Sequence, residues 1–500
     1  TTYTEYVADS NGALTVGTGR NNQKGKQFAY GGLRMGGRSY YALDLSNINS
    51  PKLQFQIAPA DKKIYYNGSS NSIEALKYMG QSWSKPTIAW VNWGKKRKRV
   101  MFVGGGYDAG GIDGDAHNTA GVKEAYSGYE NDTYNQTSKI GGGVYMFDAD
   151  NGNLLWWGSA NATTAQGAST FTNDPNLKYS VVSEIRTEDR DNDGLADHLY
   201  FGDLGGQVFR IDLDNNAGSD TALVKTPRLL LNLNSSTAGT SPRFYEMPAF
   251  STYKQAGQNF AVVSIGSGNR SAPLKEYTVG TTGYDYDIVY NIYDKDVVAE
   301  SLFKSNYTYL TNTSTLANLN EVTQAKRLDD TTIVAPFTTN GWYYRFKSYK
   351  LQSAKVFSTP IVLNYRMFVS VFDGSKDGLS GACGAGVKGE SFLQQFCMPF
   401  GQCPKSTNIE CSTGDGCSIG PGLQITTVVP DPNPDPENCD PAKEDCEDKK
   451  NPDPKPDDGS NNKNYCISTG DRGVLVKDGI ISAGGSKMCL IPQRWYELSR

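Results

Sequence analysis

The chain has 500 residues, too many for one small core, and at roughly 150 residues per domain it predicts about three domains unless an all-β propeller runs as one body. Hydrophobic residues make up only 38%, yet aromatics reach 11% with 30 Tyr, and there are 54 Gly; this predicts many short strands and tight turns rather than long helices. The 49 Lys+Arg against 53 Asp+Glu give a formal charge of −4, which excludes a dedicated nucleic-acid binder, and no apolar run reaches the roughly 18 residues of a membrane span.

No secretory leader opens the chain, and Thr1 begins inside a predicted strand, as in a mature or trimmed fragment. From there a module recurs. Its first strand runs into Gly or Asp, at 100–108 (VMFVGGGYD), 198–206 (HLYFGDLGG), 261–268 (AVVSIGSG) and 367–374 (MFVSVFDG). Its second strand recurs at 39–45, 143–150, 207–214 and 288–294, each with alternating aromatic or branched residues and a closing Asp. A third element precedes the pair at 84–91, 247–253 and 358–364, with Pro near its start, where a strand tolerates it. One such sheet cannot bury both faces alone, whereas blades packed side by side can. The expected fold is therefore all-β, a quinoprotein-like β-propeller of about seven blades over residues 1–380, at ~50 residues per blade with long loop inserts. The inserts are 109–140 and 270–335, the second with a helix expected near Leu316–Lys326.

A different composition follows. Positions 1–382 hold no Cys, and all nine fall later, at Cys383, Cys397, Cys403, Cys411, Cys417, Cys439, Cys446, Cys466 and Cys489. No pair has the CxxC spacing of a zinc site, so disulfides and an oxidising compartment are expected, with one Cys left odd. Residues 381–429 form a Cys-rich segment and 430–464 a linker; in 430–460 there are 11 acidic and 4 basic residues with eight Pro, which cannot form a core. Residues 465–500 read as a short β tail ending in Trp495, Tyr496 and Leu498, costly to leave in water.

Chemistry concentrates in DRDNDGLAD, residues 189–197. Asp189, Asp191, Asp193 and Asp197 take positions 1, 3, 5 and 9 of a calcium loop, Gly194 takes the sharp turn at position 6, and the Leu195 carbonyl is expected as the position-7 ligand. Alternate residues of a tight loop converge, so carboxylates at this spacing face one point, where only a cation relieves their repulsion. Tyr200, not Glu, stands at position 12, and a strand follows, so this is not a helix–loop–helix hand.

Other candidates read as structure. Asp108, Asp113 and Asp115 are irregularly spaced in a Gly-rich loop; DSNG at 9–12 and DADNG at 148–152 are hairpin turns. The KKRKR run at 95–99 reads as a solvated hairpin tip, a weak case for nucleic acid, and Trp83, Trp90 and Trp93 read as blade packing. With only His117 and His198, sites built on several His are excluded, and no GxSxG, GxxxxGK[ST] or dinucleotide-binding fingerprint occurs.

The segments 31–47 (GGLRMGGRSYYALDLSN), 80–91, 100–108, 141–156 and 189–213, in that order, resemble the PilC/PilY family of type IV pilus tip proteins, and the closing RWYEL is similar to that family's chain end. The resemblance implies a non-enzymatic C-terminal propeller that acts in pilus assembly, extension and retraction, twitching motility and surface adhesion. It implies export through the periplasm to an extracellular pilus tip, with minor pilins as partners and a host or abiotic surface as a possible target. It also implies Ca2+ on Asp189, Asp191, Asp193, Leu195 and Asp197, its occupancy tuning extension against retraction. Two alternatives share the propeller: a general extracellular adhesin, and a quinoprotein dehydrogenase. Such dehydrogenases often carry an adjacent Cys–Cys pair beneath the cofactor, and this chain has no such pair.

Overall fold

The structure is a computed structural model that describes residues 1–500 except 12, 137, 236–238, 256, 279–286, 329–337, 347–350, 377–387, 404–416, 422, 431–464, 468–475, 482–487 and 495–500. It divides into two compact units, Thr1–Glu321 with Val334–Lys355, and Val322–Ile333 with Val356–Arg500. The expected boundary at 380 and the linker 430–464, apart from Pro430, fall outside the described residues.

Four consecutive, largely antiparallel sheets of four to six strands make up most of the first unit's described residues. The first orders Thr2–Glu5, Lys26–Gly32, Tyr40–Asp44, Lys52–Ala58, Lys63–Tyr66 and Ser69–Ser72. The second runs Thr87–Trp93, Lys96–Gly104, Val144–Asp148 and Leu154–Ser159, and Thr170–Asn173 joins it in parallel. The third comprises Arg186–Glu188, His198–Gly202, Gln207–Asp212 and Arg228–Asn232. The fourth has Ala249–Gln255, Gln258–Gly266, Ile288–Asp294 and Gly341–Arg345, with Asn320–Glu321 in parallel at its edge. The recurring first and second strands of the sequence are the paired central strands of these sheets: Val100↔Asp148 in the second, Leu199↔Ile211 in the third, Val262↔Tyr293 in the fourth.

Period two explains why the sheets stack. In the second sheet Met101, Val103, Tyr145, Phe147 and Trp157 share a core with Tyr30, Phe55 and Ile57 of the first. Their neighbours Val100, Phe102, Val144, Met146 and Trp156 share another with Leu199, Phe201, Phe209 and Ile211 of the third. Tyr200 and Val208 of the third then face Val263, Ile265 and Tyr290 of the fourth. Successive side chains point to opposite faces, so a strand apolar at every position packs a sheet on both sides. Burying a large side chain contributes about 1.5–3 kcal/mol, and each sheet does so twice over.

Glycine permits one tight contact in this stack. Gly143, with φ +92°, enters the strand Val144–Asp148 against the Gly158 carbonyl oxygen, where a Cβ would collide. The insert after Gly104 packs Tyr107, Ala109 and Tyr129 against Val182, Leu204 and Tyr245, so 109–140 is anchored rather than a bare loop. The expected helix near Leu316–Lys326 is instead two short turns, a 3-10 turn Leu316–Asn318 and a helix Gln324–Arg327. The interruption is a strand, because Asn320 and Glu321 pair with Trp342 and Tyr343, while Asn318 Oδ1 accepts the Thr315 amide and Thr323 caps the second turn.

In the second unit, Ile361–Leu363, Arg366–Asp373, Glu390–Cys397 and Cys417–Pro421 form one sheet. Cys397 and Cys403 form a disulfide, and Arg327 donates to the Gln395 carbonyl (2.7 Å) while its own carbonyl accepts the Cys403 amide (2.8 Å). A further sheet orders Gln424–Pro430, Met488–Arg494, Tyr465–Ile467 and Val476–Ile481. The described residues thus form six sheets of four or more strands, where about seven blades were expected.

Candidate metal centre

The Asp loop joins the edge strand Arg186–Glu188 of the third sheet to the central strand His198–Gly202. Its turn is set locally. Asp189 Oδ1 accepts the Asn192 amide at 2.7 Å, and Asp189 Oδ2 accepts the Gly194 amide at 2.7 Å. Gly194 sits at φ +82° and Asn192 at φ +62°, the left-handed region that Gly and Asn tolerate best. Asp191 Oδ1 accepts the Asp193 amide, and Asp193 Oδ1 accepts the Leu195 amide at 2.7 Å.

Carboxylate oxygens of Asp189, Asp191 and Asp197 lie within 4.8 Å of one another. The structure therefore brings together positions 1, 3 and 9 of the expected loop; Asp193 stands outside that group, with its carboxylate on the Leu195 amide. Asp189, Asp191 and Asp193 are exposed, whereas Asp197 is only 5% exposed. Burial pushes the Asp197 carboxyl above the usual range, opposed by bonds from the Arg190 amide and Asn215. An all-oxygen donor set with one fixed, buried carboxylate suits a hard cation such as Ca2+, not zinc or copper.

The residues that fix this loop carry no motif. Asn215 Nδ2 donates to Asp197 Oδ1 (3.0 Å) and to the Ala196 carbonyl (2.9 Å). Asn215 is tied in turn to Asn92, whose amide and Nδ2 donate to Asn215 Oδ1 and its carbonyl, each at 2.9 Å. Arg97, from the basic hairpin, lies over Trp90 and donates to the Gly194 carbonyl at 3.0 Å. On the other side Arg190 donates to the Ala299 carbonyl (2.6 Å) and lies over Phe303. The only sequence signal was the adjacency of KKRKR and the Trp cluster to a hairpin tip, and it did not point to the loop.

Directly behind Asp197, a buried charge network closes the third and fourth sheets. His198 Nδ1 meets Asp212 Oδ1 at 2.7 Å, and its ring stacks on Phe303. Arg210 binds Asp212 (2.8 and 3.0 Å) and Asp294 (2.6 and 2.7 Å), and the Tyr200 hydroxyl donates to Asp294. Burial alone would raise the Asp212 carboxyl, but Arg210 and His198 hold it below its ordinary value.

The remaining candidates are structural. Asp108 is buried and accepts from Tyr134 (2.6 Å), Ser138 (2.7 Å) and the Gly110 amide (2.9 Å). Asp113 binds Arg38 and His117, and Asp115 binds Gln81 and Lys123. Lys96↔Trp93 closes the basic hairpin, with Arg99 buried against Tyr3 and Phe28 and paired with Asp150. Trp93 is core, Trp90 carries Arg97, and Trp83 covers Tyr107. Among the described residues no helix is long and apolar enough to cross a membrane.

Stacked, consecutive antiparallel blades with a carboxylate loop at one blade's edge define an all-β protein of the β-propeller class. The solved structure of the Pseudomonas aeruginosa PilY1 C-terminal domain has this fold, with a TM-score of 0.52 over 94% of this chain and 81% of that one. The two are 15% identical, a likeness of fold. No family model and no curated protein matches the chain.

Proposed function

We propose that this chain is a non-enzymatic, calcium-binding domain of a type IV pilus-associated protein. It is exported through the periplasm and acts at the extracellular pilus tip in assembly, in the balance of extension and retraction, in twitching motility and in surface adhesion. Its partners are minor pilins. The observation that carries the reading is the convergence of Asp189, Asp191 and Asp197 in a blade loop of a chain that shares the fold of the PilY1 C-terminal domain. Asp193 and the Leu195 carbonyl complete the ligand set, and bound calcium neutralises the carboxylates and staples Arg186–Glu188 to His198–Gly202. A ligand that binds only the folded state stabilises it by mass action, so external calcium sets how firmly this edge is held. Both histidines serve structure, His117 on Asp113 and His198 on Asp212.

The test pairs chemistry with cells. Calorimetric titration should show one saturable calcium site in the wild type, lost in Asp191→Ala and Asp197→Ala. A strain carrying either substitution should lose normal twitching while still making the protein. Calcium binding without any motility or piliation change on mutation would leave a metal site but remove the pilus role; absence of binding at millimolar calcium would remove the site.

A further inference from the structure

We propose that Cys466 and Cys489 are joined by a disulfide that staples the two central strands of the C-terminal sheet. The inference goes beyond the pilus reading and does not depend on it. In that sheet the strand Met488–Arg494 lies between Gln424–Pro430 and Tyr465–Ile467. The antiparallel register pairs Tyr465 with Leu490, Cys466 with Cys489, and Ile467 with Met488. Directly opposed residues on antiparallel strands share a face, with Cα atoms about 4.5 or 5.5 Å apart according to whether the pair is hydrogen-bonded. A disulfide requires Cα atoms roughly 4.4–6.8 Å apart, so either register class meets it. The 22 residues between the two cysteines make this a contact that only the fold creates.

Formation breaks two S–H bonds and makes one S–S bond. The two electrons and two protons pass to the disulfide of a thiol–disulfide oxidoreductase, or of oxidised glutathione, which leaves as a dithiol or as two thiols. The chain already holds one bridge of this kind, Cys397–Cys403.

The experiment uses the full chain, purified from an oxidising compartment or equilibrated with oxidised glutathione, alkylated without reductant and digested with trypsin. Cleavage after Lys463, Arg472, Lys487 and Arg494 places Cys466 in peptide 464–472 and Cys489 in peptide 488–494. The expected species is these two peptides linked, two hydrogens lighter than their sum, and separated by reductant. Alkylated Cys466 or Cys489, or either one linked to another cysteine, overturns the proposal. Cys466→Ser supplies a second readout: it should free one thiol per chain, located at Cys489. A thiol freed elsewhere, or none, refutes the pairing even if the variant is less stable.

Discussion

Asn215 Nδ2 donates to Asp197 Oδ1 at 3.0 Å, across a sequence separation of 18 residues. That bond fixes the one buried carboxylate of the Asp loop, and Asn92 fixes Asn215 from the neighbouring sheet. The loop is therefore preorganised from outside its own nine residues. Groups that orient a metal ligand typically change affinity about 10–100-fold when removed. On the proposed calcium site, Asn215→Ala should weaken calcium by that range in a calorimetric titration, without the full loss expected of Asp197→Ala. An unchanged affinity would mean that the loop organises itself.

The Arg210 guanidinium lies between Asp212 and Asp294, all three at most 1% exposed. Arg210→Met keeps the bulk and removes the cation between two buried carboxylates, leaving Asp212 to His198 and Asp294 to Tyr200. Breaking a buried pair by removing one partner costs about 3–5 kcal/mol. Chemical denaturation should show a loss of that size. A variant as stable as wild type would show that the network contributes no net stability.

Gly143→Ala places a Cβ against the Gly158 carbonyl at a left-handed φ. Strained backbone at such a position costs about 1–3 kcal/mol before any clash is counted. Gly68→Ala is the control, since its φ is also positive but nothing lies within 4 Å. Thermal melting should rank Gly143→Ala well below Gly68→Ala; equal melting points would refute the close approach.

Burial raises the Asp203 carboxyl to about 8, against the backbone bonds from Gln207 and Gly205. In the folded chain it keeps a proton that the unfolded chain, with a pKa of about 3.9, has released. This group therefore favours folding at low pH, and that contribution is lost as pH rises through about 8. Asp203→Asn keeps the acceptor for both amides and cannot ionise. Its melting temperature should gain on the wild type between about pH 5 and pH 8. A difference that does not vary with pH would place the Asp203 pKa near that of the unfolded chain.

Much of the fold was legible because strand pairs are local. Alternation and a closing Asp mark strands at 143–150 and 207–214, and the structure has the central strands Val144–Asp148 and Gln207–Asp212 there. The helix expected near Leu316–Lys326 does not form as one element, because Asn320 and Glu321 are claimed by Trp342 and Tyr343, about twenty residues away in sequence. In the Asp loop, the spacing marks Asp189, Asp191, Asp193 and Asp197, of which the structure draws Asp189, Asp191 and Asp197 together, while Asn92, Arg97, Arg190 and Asn215 carry no pattern that marks them.

The sequence by itself determined the period-two strands, the glycine turns and the nine-residue Asp loop. Each depends on backbone sterics or on residues a few positions apart, and such interactions are written locally. Only the tertiary structure decided which blade faces which, what buttresses Asp197, and that Cys466 lies opposite Cys489. Those contacts join residues 18 to 123 positions apart, and they exist only once apolar faces have packed and the register of each strand is set.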